Sequence, residues 1–140
     1  MVNIFYEDTE ILDLEPEFFV LWLRKVCAKE DKTLEEINLV FCSDEYLLKM
    51  NIEYLDHDYY TDIITFDNSI EGIGGDLFIS IDRVKENAQS NNVDFKDELN
   101  RVVVHGLLHL LGYNDKSKND KIIMTSKEDE YLNLIVSRET

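Results

Sequence analysis

The segment that most constrains the fold is a strongly apolar run in the second half of the chain, residues 96–111. Apolar residues that recur three and four positions apart are typical of an α-helix packed against other elements. Gly112 follows the run, and a residue without a Cβ adopts a left-handed turn at no steric cost. The sequence therefore predicts a central helix that ends at Gly112, after which the chain turns back. The apolar residues of the helix are Leu99, Val102, Val103, Val104, Leu107, Leu108, Leu110 and Leu111.

Strand and helix patterns divide the rest of the chain. The predicted strands are residues 2–6, 36–42, 61–66 and 76–81, and the predicted helices are 15–29, a short one capped by Ser43 that runs to Asn51, 82–91 and 120–137. Strands gathered in the first half and helices in the second are typical of an α+β protein. With 140 residues, 44% hydrophobic content, one proline and five glycines, the chain leaves no room for a linker. We expect residues 1–140 to form a single α+β domain, a mixed sheet of about four strands covered on one face by helices.

Two of the three histidines of the chain lie one turn apart on the predicted central helix. Residues four positions apart share a helix face, so the imidazoles of His105 and His109 can reach one cation. The turn at Gly112 returns the chain, and Asp115 is placed to supply a third ligand. Two histidines and one carboxylate, with the fourth position left to water, are the ligand set of a catalytic zinc site. The pair Asn114 and Asp115 is also ordinary turn chemistry, so Asp115 has an alternative role as the cap of the next helix.

The residue after the first histidine separates this helix from that of a zinc peptidase. In a His-Glu-x-x-His helix the glutamate is the general base. Here that position is Gly106. The histidine spacing is therefore that of a zinc peptidase, but the general base that a peptidase needs is absent from this position.

Residues 105–115 carry a resemblance that extends along most of the chain. Their sequence, HGLLHLLGYND, is similar to the signature His-Gly-x-Leu-His-Leu-x-Gly-Tyr-Asp-His of the YbeY family of bacterial metal-dependent endoribonucleases. Residues 61–66, TDIITF, resemble the Thr-Asp-Val-Leu-Ser-Phe strand of that family, and residues 75–80, GDLFIS, resemble its Gly-Asp-Ile-x-Ile-Ser strand. Asn51 falls where the family has Leu-Asn before a loop, and Met124 and Glu128 fit its closing helix. The resemblance implies the same α+β fold.

The chain departs from the family pattern at two positions. The third metal ligand of the family is histidine, and here that position is Asp115. The loop arginine of the family falls on Leu55, and residues 52–60 contain no arginine or lysine. A carboxylate in place of a histidine lowers the charge of a divalent site, so its water ionises at higher pH. The harder oxygen ligand also favours manganese or iron more than three histidines would, with zinc still the first choice.

The resemblance implies an endoribonuclease that acts in ribosomal RNA processing and maturation and in ribosome quality control, with a metal-activated water attacking phosphodiesters. The implied partners are ribosomal RNA on the small subunit and ribosomal proteins, with no DNA.

The chain has no apolar stretch of membrane-spanning length and no visible signal peptide, and Cys27 and Cys42 lack metal-type spacing. We therefore expect a cytoplasmic protein that does not associate with membranes and whose two cysteines are free core thiols.

The net charge of −16 is unfavourable for a protein that binds free RNA, because RNA affinity normally rests on lysine and arginine. Four lysines follow residues 105–115, and they form either a local basic rim around the metal ligands or an ordinary solvated surface. An acidic surface also suits contact with basic ribosomal proteins. The main alternative function is a non-catalytic ribosome-maturation or binding factor with a structural metal, and a metallopeptidase-like hydrolase is a weaker one. The lysines are Lys116, Lys118, Lys121 and Lys127.

No side chain can be named from the sequence as the general acid or base. Glu98, seven residues before His105 on the same helix face, is one candidate for holding a ligand histidine through its second nitrogen. Asp76 and Asp62, in strand segments, are further candidates. For each of them an ordinary surface or strand-end carboxylate is the alternative interpretation.

Overall fold

The computed structural model describes residues 1–139, with side chains described as far as residue 135. Four strands and five helices follow one another along these residues. The strands are β1 (Val2–Tyr6), β2 (Leu34–Cys42), β3 (Ile63–Asp67) and β4 (Ile73–Ser80), and the helices are α1 (Pro16–Lys29), α2 (Asp44–Leu55), α3 (Ile81–Ser90), α4 (Phe95–Leu110) and α5 (Lys118–Glu139). The predicted α+β class is confirmed, with most element ends within two residues of their predicted positions.

The four strands form one mixed sheet in the order β1-β2-β4-β3. β2 pairs in parallel with both β1 and β4, whereas β3 pairs with β4 in antiparallel fashion at the edge. β4 begins three residues earlier than predicted, because Gly74 and Gly75 extend it without the side-chain alternation that marks a strand. Gly75 must be a glycine, since a Cβ there would lie 2.4 Å from the Phe66 carbonyl oxygen of the neighbouring strand.

The main hydrophobic core lies between one face of the sheet and helices α1, α4 and α5. Leu77 and Ile79 of β4 point into this core beside Trp22 of α1 and Leu107 of α4, and all four side chains are fully buried. Trp22 Nε1 also donates a hydrogen bond to the Tyr131 carbonyl oxygen of α5, at 2.9 Å. The apolar segment predicted as a central helix is therefore central, with the sheet and the flanking helices packed around it.

The other face of the sheet is covered in part by α2, which the expected one-sided covering did not include. Phe78 alternates with Leu77 and Ile79 along β4, so its side chain points to the opposite face. There it joins Ile64 of β3 and Leu47 of α2 in a second, smaller cluster. Ser43 caps α2 as predicted, its hydroxyl accepting from the Tyr46 amide at 3.1 Å. The helix then continues one turn beyond Asn51, to Leu55.

Cys27 and Cys42 are buried and free, as predicted. Burial, with a smaller contribution from nearby carboxylates, raises the pKa of both thiols to about 12. Both therefore stay protonated at neutral pH and act as small apolar core residues. Among the described helices, none combines the length and the apolar character needed to cross a membrane.

Candidate metal centre

The C-terminal end of α4 places the candidate ligands. Gly112 has a positive φ of 103°, which confirms the predicted left-handed turn. The Gly112 amide donates to the His109 carbonyl and the Tyr113 amide donates to the Leu108 carbonyl, both at 3.0 Å. This is the paired hydrogen-bond pattern of a Schellman motif, which ends the helix and reverses the chain. Because of that reversal, the residues after Gly112 lie beside the last turn of α4.

The structure brings together the three side chains that the sequence singles out. His105 Nε2 lies 3.0 Å from His109 Nε2. Asp115 Oδ2 lies 3.2 Å from His105 Nε2 and 3.4 Å from His109 Nε2. Zinc bonds of about 2.0–2.1 Å place the ligand atoms of a tetrahedral ion about 3.3 Å apart. The triangle of ligand atoms therefore has the size that a single divalent ion requires.

Hydrogen bonds to the other ring nitrogens orient both imidazoles. His109 Nδ1 lies 3.0 Å from the Tyr113 carbonyl oxygen, and His105 Nδ1 lies 2.7 Å from Glu128 Oε2. A carbonyl and a carboxylate can only accept, so each Nδ1 donates and each neutral imidazole presents an Nε2 lone pair. Two lone pairs and a carboxylate oxygen then converge without a donor between them. This donor set fits a metal cation.

Glu128, on α5, links the site to the helix packing behind it. Its side chain is buried and accepts from Arg101 Nη1 at 2.8 Å through the oxygen that does not face His105. Arg101 also donates to Asp129 at 2.9 Å. Burial lowers the pKa of His105, but the hydrogen bond and the charge of Glu128 outweigh it, so the pKa of His105 is raised. Glu128 thus holds the ring of His105 in place and increases its basicity.

The expectation that Glu98 or Asp76 orients a ligand histidine is wrong for both residues. Asp76 accepts hydrogen bonds from Asn38 at 2.9 Å and from Asn68 at 3.2 Å, within a polar row on the sheet. Glu98 is buried in α4 about two turns before His105, and burial raises the pKa of its carboxyl group. Both histidine Nδ1 atoms are occupied by other groups. For Glu98 the sequence spacing pointed to a neighbour on the same helix, whereas the partner of His105 comes from α5, 23 residues away.

The alternative role of Asp115 as a helix cap belongs to another residue. Ser117 Oγ accepts from the Asp120 amide at 3.0 Å, and Asp120 Oδ2 accepts from the Ser117 amide at 3.4 Å. This reciprocal pair is a capping box at the start of α5. Asp115 is therefore left to face the two histidines.

Gly106 faces the sheet. A Cβ at this position would lie 2.7 Å from Ile63 Cδ1 and 3.0 Å from Leu77 Cδ2. The glycine lets α4 pack closely on β3 and β4, and a glutamate here would be driven into the core. The close packing of α4 on the sheet therefore explains why position 106 holds a glycine and not the glutamate of a peptidase.

The three ligand side chains line a cleft of about 500 Å³ beside β3. Leu55, Asp62 and Lys116 line it as well. Burial raises the pKa of Asp62 above its ordinary value, and the neighbouring His105 opposes that rise. Leu55, where the resemblance places the family arginine, is 42% exposed at the end of α2. The cleft therefore combines a metal-ligand set, one further carboxyl group of raised pKa and a single lysine.

The four lysines that follow residues 105–115 do not all line the cleft. Lys116 lines the cleft, but Lys127 contacts Glu30 at 3.3 Å and lies over the rings of Tyr113 and Tyr131. The third histidine, His57, is outside the triad and stacks on Tyr59. Lys116 is thus the lysine of this group that the structure brings to the site.

Glu30, at the end of α1, supports the turn that carries Tyr113. Its carboxylate accepts hydrogen bonds from the hydroxyls of Tyr113 and Tyr131 and from Lys127. Burial alone would raise the pKa of Glu30, but these donors outweigh burial and the pKa is lowered. Because Tyr113 supplies the carbonyl that holds His109, this cluster stabilises the metal centre from behind.

We expect Glu30→Gln to reduce the loss of stability that the protein undergoes on acidification. A carboxyl whose folded pKa lies below its unfolded value of about 4.3 stabilises the fold above that pH, and the contribution is lost as the pH falls through the folded pKa. The variant should be less stable than the unmodified protein by about 1–3 kcal/mol at pH 7. The difference should shrink on acidification below about pH 4. Urea unfolding at both pH values measures it, with Glu17→Gln on the exposed side of α1 as control; a difference that grows in acid would contradict the assignment.

The fold and the site define a class of small α+β proteins whose candidate metal ligands come from one central helix and the turn after it. Comparison with known proteins identifies the family. Residues 5–136 match the family model described as Endoribonuclease YbeY. A Cytophaga hutchinsonii protein named Endoribonuclease YbeY is 55% identical over 135 residues, covering 95% of this chain and 94% of the relative. A Flavobacterium johnsoniae protein of the same name is 51% identical, covering 94% and 95% respectively.

The fold is also similar to a solved structure. The solution structure of TM1509 from Thermotoga maritima superposes with a TM-score of 0.65 at 26% identity, covering 94% of this chain and 87% of that one. The chain belongs to the YbeY family. The family predicted from residues 105–115 is thereby confirmed.

Proposed function

We propose that this protein is a metal-dependent endoribonuclease that cleaves single-stranded ribosomal RNA. The observation that carries the proposal is the convergence of His105 Nε2, His109 Nε2 and Asp115 Oδ2 within 3.4 Å of one another at the wall of an open cleft. The ligands are reachable from solvent, with side-chain exposures of 24%, 28% and 40%. The relatives named Endoribonuclease YbeY support RNA as the substrate.

One divalent ion would be held by His105, His109 and Asp115. When bound, it would polarise a phosphodiester oxygen and lower the pKa of water at its open position. Zinc is the first choice for two imidazoles and one carboxylate, with manganese or iron as alternatives. Glu128 and the Tyr113 carbonyl keep the two imidazoles in the tautomer that can ligate.

Two other side chains of the cleft have roles in this proposal. Asp62 holds a proton at its carboxylate oxygens more readily than an exposed aspartate, because burial raises its pKa. It is therefore the group placed to exchange a proton with the reacting phosphodiester. Lys116, which also lines the cleft, supplies the positive charge that would attract a phosphate.

The cellular role that follows from this activity is ribosomal RNA processing and maturation, with a part in ribosome quality control. Ribosomal RNA on the small subunit would be the substrate, and ribosomal proteins would accept the acidic surface of a chain with a net charge of −16. A cytoplasmic location agrees with this role.

The direct test is cleavage of a fluorescent single-stranded RNA by protein loaded with zinc or manganese and by the same protein after chelation. We expect cleavage by the loaded protein, loss of cleavage on chelation and recovery when the metal is restored. Absence of cleavage with either metal, in protein that binds one ion per chain, would contradict the proposal.

Asp62→Asn should slow cleavage by about 10²-fold or more without loss of metal, because the variant cannot exchange the proton. Asp67→Asn is the matched control, since Asp67 lines the same cleft but is exposed and accepts from the Ser69 amide. Turnover rate and metal content are measured on both. Equal rates for the two variants would remove Asp62 from the mechanism.

A non-catalytic maturation factor is the second candidate, favoured by Leu55 in place of an arginine and by the acidic surface. It predicts RNA or ribosome binding that survives chelation, with no cleavage under any metal condition. A peptidase is disfavoured because Gly106 occupies the position of the base and faces the sheet.

A further inference from the structure

The loop between α2 and β3 presents aromatic side chains to solvent beside the cleft. Tyr59 is 55% exposed, and it follows His57 in the short acidic segment 56–60. The two rings stack with centroids 5.1 Å apart and planes 18° apart, and the Tyr59 hydroxyl lies 2.9 Å from His57 Nδ1. One face of Tyr59 is thus covered by His57, while the side chain as a whole stays open to solvent.

The backbone of this loop is anchored independently of the two rings. Asn51, 2% exposed, donates from Nδ2 to the Tyr59 carbonyl at 2.9 Å, and its own carbonyl accepts from the His57 amide at 3.0 Å. Asp56 ends α2 in the left-handed conformation, with φ 56°. The stacked pair is therefore held on a fixed loop, and substituting the Tyr59 side chain leaves its anchor in place.

The loop joins two residues that line the metal cleft. Leu55, just before it, and Thr61, just after it, are both in the cleft wall. The stacked pair lies between them in the chain, so the loop that carries it begins and ends at the cleft wall.

The loop's own charges disfavour binding of RNA through its phosphates. Residues 52–60 contain no lysine or arginine, and Asp56 and Asp58 flank His57. A phosphate would be repelled here, whereas the π-face of a base stacks on an aromatic ring independently of backbone charge. The Arg83 guanidinium lies 5.5 Å from the centre of the neighbouring Tyr60 ring, but it is paired with Asp44 and Glu86. Exposed aromatic rings in an acidic segment therefore suit unpaired bases better than phosphates.

We propose that the His57–Tyr59 pair is a stacking site for an unpaired base of the RNA that enters the metal cleft. The proposal rests on the proposed function and specifies its substrate as RNA with bases free to splay out. Recognition by stacking also implies weak salt dependence. A single-stranded complex with one or two lysine–phosphate contacts has a slope of log K against log salt of only about −0.7 to −1.4.

The test measures binding of a fluorescent oligoadenylate to metal-free protein in chelator, where no cleavage interferes. Tyr59→Leu should bind about 5- to 150-fold more weakly, the range that corresponds to loss of one base–aromatic stack. Tyr59→Phe, which keeps the ring and loses the hydroxyl, should stay within about twofold of the unmodified protein. Phe5→Leu is the control, because Phe5 is 50% exposed on β1, at the sheet edge opposite β3.

Unchanged binding by Tyr59→Leu would overturn the proposal, as would equal losses in Tyr59→Leu and Phe5→Leu. A change of oligomeric state in Tyr59→Leu with unchanged RNA affinity would instead make the loop a protein-contact surface, which also overturns it. Because binding is measured without metal, failure of the stacking site is distinguishable from failure of the endoribonuclease function, which the cleavage assay of the metal-loaded protein reports.

Discussion

His109→Ala is expected to purify without a bound metal ion and to cleave RNA at least about 10³-fold more slowly than the unmodified protein, a loss of about 4 kcal/mol of transition-state stabilisation. The variant retains His105 and Asp115, but two ligands hold a divalent ion far less tightly than three. The fold should remain intact, because the imidazole is partly exposed and lies at the end of α4. Elemental analysis, cleavage rate and circular dichroism measure the three effects.

His57→Ala is the control for the metal content of this variant, because His57 is the third histidine of the chain and lies outside the triad. It should retain one metal ion per chain. Full metal content in His109→Ala would show that the ion is bound elsewhere. Cleavage at the unmodified rate by metal-free His109→Ala would show that RNA cleavage does not depend on the metal site.

Glu128→Gln is expected to weaken metal binding about 10- to 100-fold, although Glu128 is not itself a ligand. The carboxylate fixes the Nδ1–H tautomer of His105 and increases the basicity of Nε2. A glutamine can present an amide hydrogen instead, and it carries no charge to pair with Arg101. Metal affinity is measured by competition with a chromophoric chelator at fixed pH.

Asp129→Asn is the control for Glu128→Gln, because Arg101 donates to both carboxylates and only Glu128 also holds His105. Asp129 accepts from Arg101 Nη2 at 2.9 Å but is 59% exposed and does not face His105. The substitution should therefore leave metal affinity within about twofold. If Asp129→Asn weakens metal binding as much as Glu128→Gln, the effect arises from general loosening of α5 and not from the bond to His105.

Local patterns were sufficient to predict the parts of the site that lie on one continuous segment. The apolar spacing of α4, the histidines four residues apart and the turn at Gly112 are all encoded between Lys96 and Asp115. Residues one helical turn apart are close whatever the remainder of the fold does. Strand β2 was likewise predicted from a local pattern, the alternation along residues 36–42.

The rest of the site depends on how distant elements pack. Glu128 reaches His105 because α5 crosses α4, and no local spacing predicts that crossing. The covering of the second sheet face by α2 was missed because Phe66 and Phe78 look like ordinary strand residues until the direction of their side chains is known. The stacked pair in the loop between α2 and β3 was missed for a related reason, since the stacking of His57 on Tyr59 depends on the anchor that Asn51 provides.

One ion in the site formed by His105, His109 and Asp115 is expected to enable RNA cleavage. We would add metal stepwise to metal-depleted protein, at a protein concentration far above the dissociation constant, and follow the cleavage rate at each step. We predict a linear rise in rate that stops at one equivalent of metal per chain, and no such rise in Asp115→Ala. Cleavage before metal is added, or no cleavage after one equivalent has bound, would show that this site does not enable the reaction.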